Sequence, residues 1–134
     1  MSKKENKIKG NYGENLACKY IKDEGYEILS RNFNCSYGEI DIIASKDDEI
    51  VFIEVKTRCQ NTYGEPIESV TSNKKNHIYN TAKYFLYKSN LLDANIRFDI
   101  IEVYLDDAEY YQYNLTHYQN VIQDEPPKSR RKLW

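Results

Sequence analysis

The chain has 134 residues, enough for one domain with one core, and its 40% hydrophobic and 30% charged residues match ordinary globular usage, which excludes wholesale disorder and a collagen-like or membrane-embedded chain. No apolar run approaches the ~20 residues that span a bilayer, and Met1–Lys7 is not followed by an apolar stretch of signal-peptide type, so neither secretion nor membrane spanning is expected. Cys18, Cys35 and Cys59 are odd in number and form no CxxC pair; neither a disulfide framework nor a zinc knuckle is supported, and a reducing cytoplasm is the expected location.

The net charge of −2 hides an uneven arrangement. Lys3, Lys4, Lys7 and Lys9 make the first nine residues basic, and Lys128, Arg130, Arg131 and Lys132 do the same for the C-terminus, so the stretch between is acidic. The expected organisation is a basic flexible N-terminus over 1–9, a domain over 10–120 and a basic tail over 121–134. An acidic body repels phosphate, so nucleic acid would have to be met by local patches, bound cations or the tails. The alternative is that both tails are simply solvated.

Asn11 as N-cap, Glu14 three residues later, and Tyr12, Leu16, Tyr20 with Ala17 and Ile21 at helical spacing predict a helix over Tyr12–Glu24, stopped by Gly25. A first strand is expected over Glu27–Phe33, followed by turn chemistry in Asn32, Asn34, Ser36 and Gly38. Gly38–Ser45 and Ile50–Arg58 are rich in Ile and Val and read as two strands of a hairpin joined by Lys46-Asp47-Asp48-Glu49. Residues 59–70, with Asn61, Gly64 and Pro66, read as a loop; Thr71 or Ser72 then caps a second helix that carries Ile78, Ala82, Phe85 and Leu86 on one stripe and ends near Asn90. Ile96–Leu105 is again strand-like, and Tyr110–Tyr118 can add a short last strand. The order is α-β-β-β-α-β: a mixed α/β sheet flanked by helices, with the third and fourth strands parallel across a helical crossover.

Side chains alternate along a strand, which puts Glu39, Asp41 and Ile43 on one face and Phe52, Glu54 and Lys56 on one face of the next. A turn centred between Asp47 and Asp48 sets Asp41 opposite Glu54 and Glu39 opposite Lys56. Two carboxylates directly opposite repel, so the pair either shares a proton, binds a hard cation such as Mg²⁺ or Mn²⁺, or faces solvent. The apolar residues around both acids favour burial, and Lys56 could hold a water or a phosphate oxygen beside a metal. Glu14 completes a capping box with Asn11, the reading helical geometry favours, or reaches the sheet from the apolar stripe. Lys74 and Lys75, in the first turn of the second helix, oppose its dipole; they are either tolerated solvated lysines or phosphate contacts, and Arg58 is a further phosphate candidate. Arg97 and Asp99 share a strand face and are expected to pair with each other or with neighbours. His77 and His117 match no triad or metal spacing and receive no role.

Gly13-Glu14-x-x-Ala17, Gly25-Tyr26, Gly38-Glu39-Ile40-Asp41-Ile42-Ile43-Ala44, Phe52-Ile53-Glu54-Val55-Lys56-Thr57-Arg58, Gly64 with Pro66, and Arg97-Phe98-Asp99 together resemble the YraN family of small uncharacterised bacterial proteins, from about Gly10 to Leu115. That family is similar to the restriction-endonuclease-like, or PD-(D/E)XK, nuclease superfamily, whose core has the same αβββαβ order. The resemblance implies Asp41 and Glu54 as metal ligands and catalytic residues and Lys56 as the group that orients or activates the attacking water. It also implies Glu14 as a further metal ligand, matching the helix-borne acid of the Holliday-junction-resolvase-like branch. The basic stretch Lys128–Trp134 has no counterpart in that pattern.

The expected activity is hydrolysis of nucleic-acid phosphodiesters with one or two Mg²⁺ or Mn²⁺ ions, DNA ahead of RNA, with branched and single-stranded forms as candidate substrates and a homodimer as one way to present two sites. The competing expectation is a non-catalytic nucleic-acid-binding or partner-binding module on the same scaffold. A carboxylate-pair glycosidase fits less well, because that chemistry calls for neither a lysine nor a metal.

Overall fold

The computed structural model describes residues 3–59, 72–106, 108–109 and 112–122. Helix α1 (Lys3–Asp23) leads into strands β1 (Glu27–Cys35), β2 (Gly38–Lys46) and β3 (Glu49–Cys59); helix α2 (Ser72–Lys88), β4 (Asn95–Leu105) and β5 (Tyr113–Tyr118) complete the order. The five strands form one sheet in the order β1-β2-β3-β4-β5, parallel only between β3 and β4. The loop expected over 59–70 from Gln60 onward, the Thr71 cap, the start of the last strand at Tyr110 and nearly all of the basic tail lie outside the described residues.

The first helix corrects the sequence reading. It begins at Lys3, so Lys3–Lys9, expected as an N-terminal extension, are helical. Lysine and glutamate are good helix formers, and the first glycine, Gly10, is tolerated within the helix. Asn11 is therefore an interior residue and caps nothing, which frees Glu14 from the capping box. The real stop is Gly25, at φ +93°, with the Gly25 and Tyr26 N–H groups bonded back to the Lys22 and Ile21 carbonyls.

The β2–β3 hairpin turns through Asp47 and Asp48, both at positive φ (50° and 66°), which gives the twist that suits a two-residue hairpin. Each face of the sheet is covered by one helix. Ala17, Cys18 and Ile21 of α1 pack with Ile42, Ile53 and Ile101, and Ala82, Phe85 and Leu86 of α2 pack with Ile43, Phe52 and Phe98. β3 and β4 are apolar on both faces for this reason. The closest approach is at Gly13, where an added Cβ would fall on the Thr57 hydroxyl and lie 2.8 Å from its Cγ2. Glycine there seats α1 against the far end of β3.

Candidate active site at the fork between two strands

The β2–β3 ladder keeps the expected register from Lys46↔Glu49 to Ile42↔Ile53, and the recorded pairing ends there. The facing pairs Asp41–Glu54 and Glu39–Lys56 expected from the sequence are thus not formed as ladder pairs. Beside this point, on β1, Asn32 has φ +53° and lies between the Arg31↔Ile42 and Phe33↔Ile40 pairs. Alternation would put residues two apart on one side. Instead Ile42 packs with α1 while Ile40 packs with α2, and in β1 Arg31 reaches Asn15 of α1 while Phe33 packs with the α2 cluster. Asn32 and Asp41 sit between these positions, where the two strands rotate together.

At this rotation the Asp41 carboxylate inserts into the gap between the strands, and the Val55 N–H donates to its Oδ2 at 2.8 Å. Burial pushes the Asp41 carboxyl up to about 6; Glu14, Glu54 and Glu39 add to the rise against the lowering effect of the Val55 N–H. Glu14 approaches from α1, and its Oε1 is buried without a hydrogen-bond partner among the described residues. Its carboxyl is also raised, chiefly by burial and further by Glu39, with Arg31 opposing.

Glu54 is less enclosed than the sequence suggests, its side chain being 44% exposed, and it takes Lys56 as its partner at 3.7 Å. Glu39 is exposed. The arrangement is a group of acids, Glu14 from α1, Asp41 from β2 and Glu54 from β3, of which Glu54 is the more open and has Lys56 beside it. Among the described residues, no three His, Cys, Asp or Glu side chains lie close enough together to hold an ion as they stand. Asp41 and Glu54 do border one cleft of about 460 Å³, walled on the other side by Asn73, Lys74 and His77 of α2.

The remaining expected residues divide. Lys74 faces the cleft, whereas Lys75, one residue on, does not line it. Arg58 donates from Nε to Glu102 Oε2 at 3.3 Å, and Glu102 is buried, so this guanidinium meets a carboxylate of β4 first. Arg97 and Asp99 pair as expected, bidentately, at 2.9 and 2.8 Å.

Two histidines passed over in the sequence have partners. His117 Nε2 lies 2.7 Å from Asp99 Oδ2, and its Nδ1 lies 3.0 Å from the Tyr20 hydroxyl. His77 lines the cleft, with Nδ1 2.9 Å from the Tyr37 carbonyl. Neither link has a sequence signal, since the partners are 18 to 97 residues apart.

The sequence profile of the uncharacterised protein family UPF0102 matches residues 13–103. A UPF0102 protein of Clostridium perfringens is 56% identical over 110 residues, covering 81% of this chain and 90% of that protein. One from Clostridium acetobutylicum is 48% identical over 118 residues, with 88% and 96% coverage, and one from Caldicellulosiruptor saccharolyticus is 45% identical over 97 residues, with 72% and 82% coverage. The chain belongs to UPF0102. The UPF0102 match opens at Gly13, where α1 meets Thr57, and it takes in Glu14, Asp41, Glu54, Lys56, Arg58, Lys74 and Lys75. It closes before β5, so the fork and the α2 wall lie in the family region, while Val121 and Ile122, which also line the cleft, and the basic C-terminal stretch lie beyond it.

Proposed function

We propose that this UPF0102 protein is a metal-dependent nuclease with a restriction-endonuclease-like core, hydrolysing nucleic-acid phosphodiester bonds in the cytoplasm with water as nucleophile. The observation that carries this reading is Asp41, a largely buried carboxylate raised to about 6 by burial and by three neighbouring acids at the mouth of a cleft. A carboxylate kept at such a disadvantage calls for a compensating cation. The donor set suits a hard ion, because Mg²⁺ is commonly held by one or two carboxylates with waters and substrate phosphates completing the shell.

Asp41 and Glu54 would hold the ion, with Glu14 reinforcing the negative potential behind Asp41. A divalent ion there supplies Lewis acidity toward a phosphoryl oxygen and offsets the repulsion between the acids and the substrate. Lys56, beside Glu54, orients the attacking water and stabilises charge that builds on the phosphoryl oxygens. Lys74, on the opposite wall, contacts a substrate phosphate. DNA is favoured over RNA, and branched or single-stranded forms are the first to screen.

The absence of three converged ligands among the described residues favours a second reading, a nucleic-acid-binding module that keeps the scaffold without turnover. One experiment separates the two. Mn²⁺ is titrated calorimetrically into the wild type and Glu54→Ala at matched pH and salt, and both are then incubated with duplex, single-stranded and four-way-junction DNA and RNA in Mn²⁺, Mg²⁺ or chelator. Binding and chelator-sensitive cleavage by the wild type alone support the nuclease. Nucleic-acid binding with no cleavage under any ion would overturn it in favour of the module.

A further inference from the structure

His77 stands on the α2 wall of the cleft, facing the strand wall that carries Asp41 and Glu54. A carbonyl oxygen only accepts, so the 2.9 Å contact between His77 Nδ1 and the Tyr37 carbonyl fixes a hydrogen on Nδ1. Among the described residues, Nε2 has no hydrogen-bond partner. The backbone that carries the ring is also held in place. The Thr81 hydroxyl donates to the His77 carbonyl at 2.7 Å, and Gly38 lets the β1–β2 turn come so close to α2 that an added Cβ would lie 3.0 Å from Thr81 Oγ1 and 3.8 Å from His77 Cβ. An exposed histidine that lines a cleft with one ring nitrogen tied to the backbone is built like a proton donor, not like a packing residue.

Resting on the nuclease reading, we infer that His77 is a further catalytic residue: its Nε2 protonates the leaving oxygen of the phosphodiester. In-line displacement puts the attacking and leaving oxygens on opposite sides of phosphorus. Water held by Glu54 on the strand wall, with Lys56 beside that acid, thus directs the leaving group toward α2. The water oxygen forms its bond to phosphorus and releases its proton to solvent. The bond from phosphorus to the leaving oxygen breaks, its electron pair stays on that oxygen, and the proton on Nε2 moves there to give a hydroxyl. Neutral His77 then recovers a proton from solvent. The charged and titratable groups around the ring's side of the cleft are Glu39 and Asp41 from β2, Glu54 from β3, Asp99 from β4, Lys74 from α2 and Tyr37 from the turn.

The test uses His77→Asn, whose amide can still donate to the Tyr37 carbonyl but which has no Nε2. Cleavage in Mn²⁺ is measured on an oligonucleotide that the wild type cuts and on the same oligonucleotide with sulfur in place of the bridging oxygen, made in both 3′ and 5′ versions. A thiolate leaves without a proton. The expected result is a loss of about 10²-fold or more on the all-oxygen substrate, with one sulfur substrate cut within about twofold of the wild-type rate. Equal loss on every substrate, or no loss on any, while the wild type remains active would overturn the role of His77 alone. A wild type that cuts no duplex, single-stranded or four-way-junction DNA or RNA in Mn²⁺ would overturn the nuclease reading and the proposal together. A melting temperature and a Mn²⁺ titration matching the wild type confirm that the variant is folded with its carboxylates intact.

Discussion

The Val55 N–H donates to Asp41 Oδ2 at 2.8 Å, just beyond the last recorded pair of β2 and β3. A side-chain carboxylate thereby occupies a place that a backbone acceptor of the neighbouring strand would fill in a continued ladder. The acid is fixed in position by the same bond that lets the strands part.

That placement has a sign in stability. The folded pKa of Asp41, about 6, lies above its ordinary value of 3.8, so the native state binds this proton more tightly than the unfolded chain. Ionised Asp41 therefore lowers stability above about pH 6, and the penalty fades as pH falls toward the ordinary carboxylate range. Asp41→Asn keeps an acceptor for Val55 and removes the charge. In chelator it should be more stable than the wild type by on the order of 2–3 kcal/mol at ~pH 8 and indistinguishable at ~pH 4. Urea denaturation at the two pH values checks this; a destabilised variant at high pH would show that the carboxylate is compensated in some other way.

Gly13→Ala should be strongly destabilising despite the higher helix propensity of alanine, because the new methyl meets Thr57. Overpacking of this kind costs about 1–3 kcal/mol, and Thr57→Ser in the same chain should recover part of it by removing Cγ2. A double-mutant cycle measured by chemical denaturation gives the coupling. Additive effects would mean that α1 shifts away from β3 instead of pressing on it.

Lys56→Ala separates chemistry from folding. Its contact with Glu54 is 3.7 Å long and partly exposed, so stability should change by less than ~1 kcal/mol. Mn²⁺ affinity should be little altered, while the cleavage rate falls by about 10²-fold, with kcat taking most of the change. Wild-type turnover in Lys56→Ala would remove the lysine from the mechanism.

How far the site was legible in the sequence follows from the reach of each signal. The alternation of Ile and Val around Asp41 and Glu54, and two aspartates at a hairpin tip, are local patterns, and they yield the strands and a register that the structure keeps as far as Ile42↔Ile53. The rotation at Asn32 is not local to β2. A left-handed residue on β1 lies beside the point where Ile40 and Ile42 come to face opposite helices, and alternation alone cannot contain it. Glu14 reads as a cap partner because Asn11 is a good N-cap, and only the extra helical turns before it reveal otherwise. The pairings of His77 with the Tyr37 carbonyl and of His117 with Asp99 depend on packing between distant elements, which composition does not encode.

The Asp99 cluster carries the opposite pH sign from Asp41. Burial alone would raise the Asp99 carboxyl, but bonds from His117, Arg97 and the Asn120 N–H overcome it and hold the group below its ordinary value. Its Oδ1 accepts from Arg97 Nε and the Asn120 N–H, and its Oδ2 from Arg97 Nη2 and His117, so one buried side chain ties β4 to β5 and, through Tyr20, to α1. A carboxylate with a depressed folded pKa contributes stability above its unfolded value, 3.8, and loses it as pH falls through the folded one. Asp99→Ala leaves Arg97 and His117 without their shared acceptor and should cost about 3–5 kcal/mol at neutral pH. The loss should shrink once the wild-type carboxyl is itself protonated in acid. Hydrogen exchange offers the sharper check: in Asp99→Ala the β5 amides should lose protection before those of β3. Uniform loss across the sheet would mean that the cluster supports the whole core and not the docking of its edge strand.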